Sequence, residues 1–123
     1  MAVPFSAHVQ ARRTAHHHVQ VRVTHVELPK IWPDKGVVVG RVTRVFQSRA
    51  VLTPDDPVSF SVGMIKRGQL IPEGAGGWIV VDELTVGRLI EVYLNGGPPD
   101  CQTALVEYTL LDGPTEQPQL CIE

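Results

Sequence analysis

Cysteine and aromatic side chains are scarce in this 123-residue chain: two Cys, and Phe, Trp and Tyr together only 6% of the residues. Cys101 and Cys121 stand in no CxxC spacing, so neither a zinc ribbon nor a redox motif is written here. No apolar run approaches the roughly 18 residues that span a bilayer, so no membrane partner is expected. The opening MAVPFSAHVQARR has no basic stretch leading into an apolar one, so a secretory leader is not expected. The expected setting is the cytoplasm, with reduced thiols; a Cys101–Cys121 disulfide would need an oxidising compartment. Net charge is only −2 and the pI about 6.2, so the molecule as a whole does not advertise nucleic-acid or membrane binding. No segment has the clear 3.6-residue periodicity of an amphipathic helix, and no internal repeat is visible.

Valine is abundant instead: 19 Val against 10 Leu and 7 Ala. Branching at Cβ stiffens a side chain and suits a pleated surface better than a helix. Eleven Gly and ten Pro punctuate the chain, as expected of many short strands joined by turns. Length and composition suit one all-β domain, spanning residues 16–123, preceded by a mobile arm over residues 1–15.

The first strand is expected from His17 to Leu28. Val19, Val21 and Val23 alternate with His18, Gln20, Arg22 and Thr24, and the phase then slips to Val26 and Leu28, the signature of a β-bulge. Pro29, Pro33, Asp34 and Gly36 mark a turn, with Ile31 and Trp32 expected to pack over it. The second strand, Gly36 to Gln47, contains Gly40, where a bend is expected. Further strands are read at Val58 to Ile65, Trp78 to Val81, Val86 to Asn95 and Gln102 to Leu111, with a short terminal one at Leu120 to Ile122. Lys66 to Gly77 is a Gly/Pro-rich connection.

Five or six such strands, bulged early, suit a small barrel. The bent, glycine-containing strand at Gly36 to Gln47 resembles what the OB-fold, a five-stranded Greek-key barrel, requires, and the resemblance spans residues 36–111. A β-sandwich is the second choice of fold.

The charges are unevenly distributed. Residues 1–50 carry eight Lys/Arg and two acids, a balance of +6; residues 51–123 carry three Lys/Arg and eleven acids, a balance of −8. If the halves interleave, opposite charges meet as cross-strand neighbours. If they do not, Arg22, Arg41 and Arg44 form a basic patch for an acidic partner, or complementary faces drive self-association. OB-type proteins bind single-stranded nucleic acid with such a groove and stacking aromatics. Trp32 is the candidate platform beside the arginines, although so few aromatics and an acidic second half disfavour that reading.

Histidines supply the remaining candidate site. His16 and His18, two apart on a strand, share a face and offer imidazole ligands, with His25 further along. The pair resembles the HxH of cupins, where a ligating Glu follows within a few residues. Here Gln20, Val21 and Arg22 occupy that stretch and no His follows His25. A metal-dependent enzyme therefore lacks its third ligand, and solvated histidines are expected. No serine lies in a GxSxG setting, and the GAGG at 74–77 precedes a strand rather than a helix. The expectation is a non-catalytic binding module without a cofactor, its partner a protein or a second copy of itself.

Overall fold

The valine-rich first half folds into a long antiparallel hairpin, and every later strand is laid against it. The computed structural model describes residues 5–48, 52–69, 78–96 and 100–119. Helix α1 (Phe5–Thr14) is followed by β1 (His17–Glu27), β2 (Asp34–Ser48), β3 (Pro57–Ile65), β4 (Trp78–Val80), β5 (Leu89–Asn95) and β6 (Asp100–Leu111). The expected strand at Leu120–Ile122, Cys121 and the glycine-rich stretch 70–77 lie outside the described residues.

β1 pairs with β2, β2 with β3, β5 with β1 and β6 with β5, all antiparallel, while β3 and β6 run parallel over Ser59–Ser61. The circuit β1–β2–β3–β6–β5 thus returns to β1. Its spatial order β5–β1–β2–β3 is that of a Greek key. The fold is all-β and barrel-like, as the OB-fold resemblance implies, and not two stacked sheets. The short β4 extends it in parallel beyond β3.

The bulges fall where apolar parity slips. Thr24 is the extra residue of β1 between Val23 and His25, and Thr43 and Phe46 are extra residues of β2. Before the slip Val19, Val21 and Val23 point into the barrel with Val38, Val42, Phe60, Ile90 and Val92, all of them buried. After it Val26 turns to the core. Each such side chain contributes about 1.5–3 kcal/mol on burial, so the barrel interior supplies most of the driving force. Gly40 sits where the curled strands approach most closely: a Cβ there would lie 2.5 Å from the Arg22 carbonyl oxygen.

Three expectations need correction. A helix was not foreseen, yet Phe5–Thr14, within the stretch expected as an arm, is helical. Its Ala, Gln and Arg content favours a helix, and Arg12 and Arg13 in the last turn complement the helix dipole. Ala11 packs against Tyr93 and Ala15. At the β1–β2 turn Trp32 packs on the core, but Ile31 is 75% exposed rather than packed. Finally, strands of the two halves do lie side by side, β1 with β5 and β2 with β3, yet Arg22 faces Leu89 and Arg41 faces Pro57, so opposite charges do not meet there as cross-strand neighbours.

Candidate functional site

Alternation places Arg22 on the outer face of β1, and Arg41 and Arg44 on that of β2. Arg22 lies directly opposite Arg41 in the register, and Gln20 opposite Arg44. All three arginines are exposed. Arg22 donates to the Gly87 carbonyl at 3.4 Å and Arg41 to the Asp55 carbonyl at 2.9 Å. Among the described residues no carboxylate lies within ion-pair distance of any of the three. Like charges facing each other across a ladder cost stability. Arg22→Thr is therefore expected to leave the melting temperature unchanged or raise it, by up to about 1 kcal/mol in stability, in a thermal melt.

The same outer face continues toward the β1–β2 turn. Val39 and Val37 of β2 lie opposite Ser59 and Ser61 of β3 and opposite His25 and Glu27 of β1. A groove of about 490 Å³ runs over them, lined by Glu27, Val37, Val39, Ser59, Ser61 and Cys101. Cys101 is buried. At the turn end Leu28 and Ile31 are exposed, 57% and 75%. The face thus runs from a cluster of guanidinium groups, over half-buried valines, to an exposed apolar tip. Trp32 sits at that tip, away from the arginines; it packs on the core, with the Lys66 ammonium 5.3 Å from its ring centroid. It is no platform beside Arg22, Arg41 and Arg44.

The histidines are placed differently from expectation: the outer face of β1 and β5, where His18 lies, is covered, and His17 shares the inward parity of Val19. His17 and His18 are buried rather than solvated. His16 Nδ1 accepts from the Gly96 N–H at 3.0 Å, and His17 is held between Ser48 Oγ at 2.8 Å and the Gly96 carbonyl at 2.9 Å. His18 stacks on Tyr93, ring centroids 3.8 Å apart, and lies 4.8 Å from Phe46. Its Nε2 donates to Glu91 Oε2 at 2.9 Å. His25 is exposed near the far end of β1. His16, His18 and His25 are thus not brought together, and no group of three His, Cys, Asp or Glu suited to a metal occurs among the described residues.

Sequence reasoning missed Glu91, which is fully buried, and the pairing of His18 with it across 73 residues. Burial is the main cause that pulls the His18 pKa below its ordinary 6.5, and Arg12 adds to it, while Glu91 opposes both. The folded chain then binds this proton less readily than the unfolded one. The stability that His18 contributes is complete above about pH 6.5 and is lost as pH falls toward and through the lower, folded value. Between about pH 7 and pH 5 the melting temperature of the native chain should fall more steeply than that of His18→Gln, whose amide does not titrate.

No family model matches the chain. No curated protein matches it either. No helix among the described residues is long and apolar enough to cross a membrane.

Proposed function

We propose that this barrel is a non-catalytic interaction module of the cytoplasm, and that the outer face of β1–β2–β3 receives an acidic protein segment carrying apolar residues. The single observation that carries this reading is the apposition of Arg22 and Arg41, with Arg44 beside them, on an exposed face where no carboxylate among the described residues pairs with them. Such an arrangement works against stability and in favour of an anionic ligand. Val37, Val39 and the exposed Leu28 and Ile31 give the ligand apolar contacts along the same face. The acidic second half of another copy, with its balance of −8, offers one source of such a segment.

Single-stranded nucleic acid is the second reading, supported by the Greek-key circuit and the arginines. It is disfavoured because bases need stacking surfaces. Trp32, Phe46, Phe60, Trp78, Tyr93 and Tyr108 are all buried or half-buried.

Fluorescence anisotropy separates the two. The probes are a labelled peptide of alternating Glu and Leu, and a labelled oligo-dT strand. The peptide should bind saturably and with strong salt dependence, and Arg41→Glu should weaken it at least about tenfold. Preference for the DNA strand would favour the second reading, and equal peptide affinity in native and Arg41→Glu chains would end the first.

A further inference from the structure

We infer that the outer face of β1 and β5 is a peptide-recognition site, occupied in cis by residues 112–119 and open to the same segment of a second copy. The outer face of a small barrel ordinarily meets water. Here Gln20 and Glu91 on that face are 1% and 0% exposed, so their polar atoms need partners other than solvent. The barrel supplies some of those partners. Glu91 Oε2 accepts from His18, and Gln20 Oε1 accepts from Thr43 Oγ1 at 3.0 Å. These bonds fix both side chains from within the barrel, so the two groups stand preorganised for whatever lies over them.

What lies over them is a segment without helix or strand that follows β6. The Gln119 backbone N–H donates to Glu91 Oε1 at 2.7 Å, and Gln20 Nε2 donates to the Thr115 carbonyl at 3.2 Å and to its Oγ1 at 2.9 Å. Two of the three groups that the segment contributes, the Gln119 N–H and the Thr115 C=O, are main-chain groups that any peptide could offer. The threonine hydroxyl adds selectivity. Asp112, Pro114, Glu116, Gln117 and Gln119 are exposed, and a cavity of about 390 Å³ lies between the segment and the end of β6. A cover held by polar bonds, with exposed side chains and an open cleft beside it, belongs to the readily opened parts of a fold. It leaves β6 through Gly113 and Pro114, and a Cβ at Gly113 would meet nothing within 4 Å, so the departure has room to swing. A second copy carries the same atoms in the same order, which makes it the matching occupant in trans.

The test titrates a labelled peptide of residues 112–119 into the full-length chain. Self-occupancy lowers the apparent affinity by the fraction of time the site is open. Thr115→Ala in the chain removes one bond from the cover only, and should tighten peptide binding about fivefold. Thr115→Ala in the peptide should loosen its binding to the native chain by the same factor. Circular dichroism confirms that the Thr115→Ala chain is folded. Absence of saturable binding to either chain, or a Thr115→Ala chain that binds no more tightly than the native one, overturns the inference.

Discussion

A Gly40→Ala chain is expected to lose about 3 kcal/mol of stability or more, a large part of the 5–15 kcal/mol that holds a domain of this size together. The added methyl carbon would sit 2.5 Å from the Arg22 carbonyl oxygen and 2.5 Å from Val21 Cγ1. The first of these is backbone of β1, which pairs with β2 on one side and β5 on the other. It cannot retreat without breaking one of the two ladders, and Val21 is fully buried and has no free rotamer space. Gly113→Ala, which meets nothing within 4 Å, serves as the control and should melt near the native temperature. Thermal unfolding followed by circular dichroism reads both.

Glu91→Ala should be nearly as damaging, at about 3 kcal/mol. It leaves the buried His18 Nε2–H without its acceptor, removes the acceptor of the Gln119 N–H, and opens a cavity beside the stacked His18 and Tyr93 rings. Glu91→Gln should recover most of the loss. Its amide oxygen can still accept from Gln119, and its NH₂ can donate to His18 once the imidazole moves its proton to Nδ1. Chemical denaturation that ranks native above Gln above Ala supports this account; equal losses in the two variants would mean that the charge, not the hydrogen bonds, matters at Glu91.

The barrel was largely legible in the residues because its signals are local. Val19, Val21 and Val23 declare an inward face, the shift to Val26 declares the bulge, and Gly40 declares a close approach within one strand. What was not legible depends on distant chain. Parity assigns His18, Gln20, Glu91 and Tyr93 to the outer face correctly, but parity does not say whether that face meets water. The answer lies in the segment containing Thr115, 95 residues from Gln20, and in the helix that brings Ala11 against Tyr93. Helix α1 itself escaped because FSAHVQARRT carries no regular apolar stripe. The same locality governs where the candidate residues are placed. Arg22 and Arg41 need only the hairpin register to meet. His16, His18 and His25 needed a shared face that the bulge at Thr24 and the pairing of His18 with Glu91 deny them.

The most direct test of the interaction face is a ¹⁵N chemical-shift map of the native chain during titration with the acidic Glu/Leu peptide. Saturable shifts should concentrate at Arg22, His25, Val37, Val39, Arg41, Ser59 and Ser61, and should vanish in Arg41→Glu. Shifts confined to β5 and β6, or none at peptide excess, would contradict a binding role for the outer face of β1–β2–β3.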